Sequence, residues 1–266
     1  MIYNVLSIIK FNTLIGLWPE WNLFRNDNPL AIVDLQIEVE LISQRQYGLE
    51  ILNEQPGKSV LRCDDCLLSA DADWNKVKLN LFDGGDVRSA ATYKILNALI
   101  FTHLSTRHAI EMHASVIQIA DTGVMFLGPS GIGKTTQAEL WMQYRGADII
   151  NGDMVFVKQE SDYFFGCGSP WHGSSPYCLN RQVPLAALIV LKQNSENSIR
   201  RLKGFEMVSA VMNSVFFPTW YKKGHEAVCK TLDVLLKTVP VYELSCRPDE
   251  DAVRLTEETV FGKPVI

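Results

Sequence analysis

The chain carries no long apolar run, no surplus of basic charge and no dense set of cysteines. Each absence removes a class of function. No stretch approaches the roughly eighteen apolar residues that a membrane-spanning helix needs, so no membrane partner is expected. Lysine and arginine number 25 against 30 aspartates and glutamates, for a net charge of −5. Phosphate backbones select basic surfaces, so nucleic acid is not an expected partner either. Six cysteines stand at 63, 66, 167, 178, 229 and 246, too scattered for a disulfide framework. Cys63-Asp-Asp-Cys66 has CxxC spacing, but no second pair follows at zinc-finger distance, and its central acids oppose a low thiolate pKa. It reads first as an inert structural pair, with metal or redox behaviour the alternative. The opening segment, Met1 to Lys10, shows no basic leader ahead of a long apolar stretch, so a cytoplasmic protein is expected. The oligomeric state stays open, a homo-oligomer included.

What is present is ordinary globular composition, 47% hydrophobic and 21% charged, over 266 residues that can hold one large domain or a domain and a module. The first eighty-odd residues read as β-rich. Leu35, Ile37, Val39 and Leu41 alternate with Gln36, Glu38 and Glu40, and Val77, Leu79 and Leu81 repeat the pattern. Gly84-Gly85 marks a soft boundary. From about 87 to 106, Tyr93, Leu96, Leu99, Ile100 and Leu104 form a helical apolar stripe. Segments 111–119 and 124–127 read as a strand hairpin turning at Asp121-Thr-Gly123. Further strands are expected at 149–150, 155–157, 184–191 and 239–244. Helices are expected at 136–144, 205–216, 225–236 and 249–261. A Gly/Ser/Pro-rich loop spans 166–176.

The hairpin's second strand runs into Gly128-Pro-Ser-Gly-Ile-Gly-Lys-Thr-Thr136, which fits Gly-x-x-x-x-Gly-Lys-[Ser/Thr]. Strand, glycine loop and helix is the order that phosphate binding needs, because a helix N-terminus favours an anion. The pattern makes Gly128, Ser130, Gly131, Ile132, Gly133, Lys134, Thr135 and Thr136 the nucleotide-binding residues. Lys134 is placed on the β/γ-phosphates and Thr135 on Mg²⁺. Asp153 ends the next apolar strand, nineteen residues past Lys134, and is the candidate metal carboxylate. In common P-loop GTPases and ATPases that acid comes much later, after another crossover unit.

The short spacing, with Met112-His-Ala-Ser115 upstream, the loop at Phe126–Thr136 and Ile149-Ile-Asn-Gly-Asp153 downstream, resembles the HPr serine kinase/phosphorylase family and the ATP-dependent phosphoenolpyruvate carboxykinases. The resemblance covers Glu111–Val157, and residues 1–85 carry none of it. It implies an α/β fold, a phosphoenolpyruvate carboxykinase-like P-loop core with mixed sheet and helices over 86–266. A small β-rich region over 1–85 precedes it. It implies an ATP-dependent kinase that uses ATP and Mg²⁺ and transfers the γ-phosphoryl group to a hydroxyl of a protein, peptide or small molecule. His113 falls where these relatives place a histidine near the metal or phosphoryl group, so Lys134, Asp153 and His113 are the catalytic candidates. The chain departs from the family at one point: Gly152 stands where the first of two aspartates belongs. Either Asp153 then serves as metal contact and base together, or His113 or His172 takes one role. A third reading is a nucleotide-binding regulatory or scaffold protein without transfer. The chain is short for a carboxykinase and lacks a basic cluster for a dicarboxylate. Trp171 reads first as loop packing and Arg181 and Arg247 first as surface arginines, with a contact to the site the second reading of each.

Overall fold

The computed structural model describes residues 2–12, 17–28, 30–42, 50–55, 58–63, 66–82 and 88–262. The expected break at Gly84-Gly85 and the two acids of the CxxC segment lie outside them. The chain divides into two units, Met1–Arg107 with Pro218–His225, and His108–Phe217 with Glu226–Ile266. Both are mixed α/β. No helix among the described residues is long and apolar enough to cross a membrane.

The first unit holds β1 (Ile2–Val5), β2 (Ser7–Phe11), β3 (Leu35–Ile42), β4 (Glu50–Gln55), β5 (Lys58–Cys63), β6 (Cys66–Asp71), β7 (Lys76–Phe82) and α1 (Ala90–Ser105). The strands form one sheet in the order β1-β2-β3-β7-β6-β5-β4. The pairs β2–β3 and β3–β7 are parallel and the others antiparallel. Alternation in β3 puts Leu35, Ile37 and Val39 inside, but Leu41, expected on the same face, is exposed near the strand's end. α1 packs on β5 and β6 through the expected stripe, with Leu96, Leu99, Ile100 and Leu104 buried. Ser89 starts it by accepting a hydrogen bond from Thr92 N at 3.2 Å.

The second unit holds β8 (Ala109–Ile119), β9 (Thr122–Leu127), α2 (Lys134–Arg145), β10 (Asp148–Asn151), β11 (Met154–Glu160), β12 (Tyr163–Cys167), β13 (Gln182–Gln193), β14 (Ser198–Arg201), α3 (Gly204–Met212), β15 (Val241–Cys246) and α5 (Glu250–Phe261). A further helix, α4 (Lys222–Thr238), starts in residues of the first unit and runs into the second. β8 and β9 are the expected antiparallel hairpin, with the turn moved one residue earlier because Ala120 takes the positive φ. Two long strands change partners along their length. β8 pairs with β11 over Ala109–His113 and with β9 over Ala114–Ile119. β13 pairs with β12 over Gln182–Pro184 and then, in parallel, with β9 and β15. The parallel trio β9-β13-β15 therefore ends on one edge, and such edges are where open α/β sheets bind ligands. Ala138 and Trp141 of α2 pack with Phe126, Ile189, Leu244 and Val253, which fixes the loop before α2 against the sheet. Val124–Leu127 are fully buried. Each such side chain contributes about 1.5–3 kcal/mol, so the strand feeding the loop is rigid.

Candidate functional site

The segment between β9 and α2 turns through three glycines with left-handed φ: Gly128 at 141°, Gly131 at 78° and Gly133 at 111°. Side-chain-bearing residues rarely adopt those values. Gly133 is also the N-cap of α2 and supplies no side-chain cap, whereas Ser89 and Asp249 cap α1 and α5 with their own oxygens. The first-turn N–H groups of α2 are left for another acceptor, which suits an anion. Lys134 is 6% exposed, and its Nζ donates to Gly128 O at 3.0 Å and Pro129 O at 3.2 Å. Burial pushes its pKa below the ordinary lysine value, and the charge of Asp153 opposes that shift. The ammonium is thus held on neutral carbonyls, where an anion would be the stronger partner.

The opposite wall is built by Asn151-Gly-Asp153. Asn151 is fully buried. Its Oδ1 accepts from Asp153 N at 2.9 Å and Met154 N at 3.0 Å, and its Nδ2 donates to Ser169 O and Trp171 O, each at 3.1 Å. An asparagine that satisfies its own downstream backbone makes a tight turn and fixes where Asp153 points. Gly152 O accepts from Ser115 Oγ at 3.0 Å and Thr135 Oγ1 at 3.2 Å, which ties the turn to β8 and α2. His113 Nε2 stands 3.1 Å from Asp153 Oδ1, with the side chains 28% and 27% exposed.

His113, Ser130, Gly131, Gly133, Lys134, Thr135, Thr136 and Asp153 line one cavity of about 400 Å³. Glu139, Gly152 and Ser174–Pro176 complete it. Of the residues expected on nucleotide, Gly128 and Ile132 do not line this cavity. Ile132 instead lines a second one, with Gly131, Gly133 and Thr136 common to both. The other candidates are placed elsewhere. Trp171 is fully buried and packs edge-on against Phe156, so it belongs to the core. His172 does not line the cavity, and its Nδ1 bonds the Ser175 carbonyl, holding the loop. Arg181 pairs with Asp148 on the surface, while Arg247 pairs with Asp249 and lines the second cavity. Cys66 is buried, its Sγ 3.7 Å from the Thr92 hydroxyl.

Among the described residues no group of three or more His, Cys, Asp or Glu could hold a metal. Mg²⁺ does not require one, since it commonly takes one or two carboxylates and completes its shell with phosphate and water. The Thr135 hydroxyl and the Asp153 carboxylate line the cavity as hard oxygen donors of that kind.

Ser115, Glu139, Asn151 and Ser175 were not expected at the site. Asn151 had a readable signal, because Asn-Gly-Asp after an apolar run is turn chemistry. Ser115 lies in the Met112–Ser115 segment that carries the resemblance, whereas Ser175 arrives through tertiary pairing and leaves no local signal.

No protein-family model matches the chain, and no curated protein matches it in sequence. Among solved structures it is similar to the HPr(Ser) kinase/phosphatase from Coxiella burnetii, with a TM-score of 0.35 and 12% identity, over 56% of this chain and 95% of that one. The likeness is distant and of fold alone.

Proposed function

We propose that the chain is an ATP-dependent phosphotransferase acting on a hydroxyl of a peptide, protein or small molecule. The observation that carries this reading is one cavity lined by an uncapped glycine loop with its lysine and by a His113–Asp153 pair. The loop amides and Lys134 would hold the β/γ-phosphates. Thr135 and Asp153 would hold Mg²⁺, which supplies neutralisation of phosphate charge when bound. Asp153 orients the imidazole through Nε2, and Nδ1 has no hydrogen-bond partner among the described residues. His113 then takes the acceptor's hydroxyl proton at Nδ1, the division of labour used by carboxylate–histidine pairs. Positioning and electrostatics supply the rest of the acceleration.

The test is incubation with γ-labelled ATP, Mg²⁺ and a panel of hydroxyl acceptors. Wild type should label acceptors that Lys134→Ala does not, and His113→Gln should keep ATP binding while losing transfer. A wild type that labels nothing beyond Lys134→Ala removes the kinase reading. A second reading, a nucleotide-binding regulator, draws on Gly152: no side chain fits there beside Ser175, so a second carboxylate has no room. Calorimetric ATP binding without turnover in any acceptor would favour it.

A further inference from the structure

The second cavity, about 530 Å³, opens at the carboxyl ends of β13 and β15. Ile132, Gln137, Leu191, Asn194, Cys246 and Arg247 are among its walls. Its volume lies within the range of small-molecule sites. Gly131, Gly133 and Thr136 line both cavities, so one elongated ligand could pass over the α2 N-terminus from one to the other. Gln137 is the telling residue. It is 3% exposed and its Nε2 donates to Cys246 Sγ at 3.3 Å, but its Oε1 has no hydrogen-bond partner. A buried amide oxygen without a partner is costly, and such groups are rare unless something fills them. Burial pushes the Cys246 thiol up to about 11, so it stays protonated and the cavity floor beside Gln137 is uncharged. Lys192 and Arg247 at the rim are already paired with Glu243 and Asp249. The cavity therefore offers apolar walls and one buried acceptor, which suits an uncharged ring or sugar more than a second phosphate.

Resting on the proposed ATP reading, we infer that this cavity receives the nucleoside and that Gln137 Oε1 accepts a hydrogen bond from an N–H or O–H of it. The residue is a specificity determinant, one helical turn beyond the lysine that holds the phosphates.

The experiment is calorimetry with Mg-ATP and with Mg-tripolyphosphate, which has the phosphates and no nucleoside. Gln137→Met keeps the volume and removes the acceptor. It should weaken ATP about tenfold and leave tripolyphosphate unchanged. Gln193→Trp, at an exposed position on the same cavity, should also weaken ATP selectively and serves if Gln137→Met does not fold. Purine riboside triphosphate, lacking the exocyclic amine, and 2′-deoxy-ATP identify the donor as base or sugar, because Gln137→Met should erase discrimination against one of them. Equal ATP affinity in wild type and both variants would overturn the inference while leaving the phosphate site standing. If wild type binds neither ligand, the ATP reading itself falls, and the inference with it.

Discussion

Gly152→Ala is a one-carbon change that should destabilise the protein and be repaired by a second change elsewhere. A Cβ at 152 would lie 2.0 Å from Ser175 Oγ and 2.7 Å from Ser175 Cβ. Ordinary contacts are about 3.5 Å or more. Rotating the serine hydroxyl clears the first clash and not the second, so the 172–176 loop must move. Overpacking of this kind costs about 1–3 kcal/mol. Gly152 does not have a positive φ, so no backbone strain is added. Alanine's restriction of the unfolded chain returns about 0.4–1 kcal/mol. The net expectation is a loss of about 1–2 kcal/mol. Ser175→Gly removes both obstructing atoms, at the cost of the 3.3 Å bond that Ser175 Oγ accepts from Tyr177 N. In that background Gly152→Ala should be neutral or stabilising, giving a coupling of about 1 kcal/mol or more in a double-mutant cycle. Urea denaturation of the four proteins measures it. A Gly152→Ala protein as stable as wild type, with Ser175 intact, would refute the steric argument. Gly152→Asp carries the same clash and should fold stably only alongside Ser175→Gly.

Gly173→Ala should cost about 1–2 kcal/mol and at least tenfold in ATP turnover, because φ there is +57° and a Cβ would fall 2.2 Å from Asp153 Oδ2; unchanged kinetics would show that Asp153 tolerates displacement. Arg145→Met should lose about 3 kcal/mol in denaturation, since Arg145 Nε stands 2.7 Å from Oε2 of the fully buried Glu257 side chain, and Arg145→Met with Glu257→Leu should recover most of it. Burial lowers His103 to about 4, with its Nδ1 on Trp74 O at 2.7 Å. The unfolded chain therefore binds the proton first, and about 3 kcal/mol of stability present above pH 6.5 is lost as pH falls toward 4. Replacing it in His103→Gln should flatten denaturation midpoints over that window, and an unaltered slope would place the acid sensitivity elsewhere.

Local pattern told most about the second unit. The β8–β9 hairpin, the loop and α2 follow from apolar runs punctuated by glycines, and the positive φ values at Gly128, Gly131 and Gly133 explain why no other residue would serve. β13 was legible as an apolar run because successive residues Ala187–Leu191, which point to opposite faces of the sheet, are all buried. β12 and β14 were not expected: β14 is four residues long and largely exposed, and β12, though apolar, is only five residues long and runs into the Gly/Ser/Pro-rich stretch that reads as a loop. In the first unit only β3 and β7 announced themselves, by alternation; their parallel pairing is set by the chain between them and has no local code. At the site, the Gly-Lys-Thr pattern and Asp153 were readable. The contacts that decide their behaviour, Ser175 on Gly152 and Gln137 on Cys246, join residues 23 and 109 apart and could not be read from spacing.

Those contacts alter the meaning of the missing aspartate. Were Gly152 merely a lost acid, the space beside it would be open and a water or a new side chain could enter. Instead Ser175 fills it, and the Gly152 carbonyl is held by Ser115 and Thr135, so the glycine is integral to the wall. One acid fewer also means less repulsion toward a polyphosphate anion in a cavity that still contains Asp153 and Glu139. The arrangement thus favours an anion at the loop and keeps His113 beside it, against Asp153. In the proposed reading, phosphate affinity and transfer become separable properties: the first would rest on the glycine loop and Lys134, the second on His113, 3.1 Å from the Asp153 carboxylate.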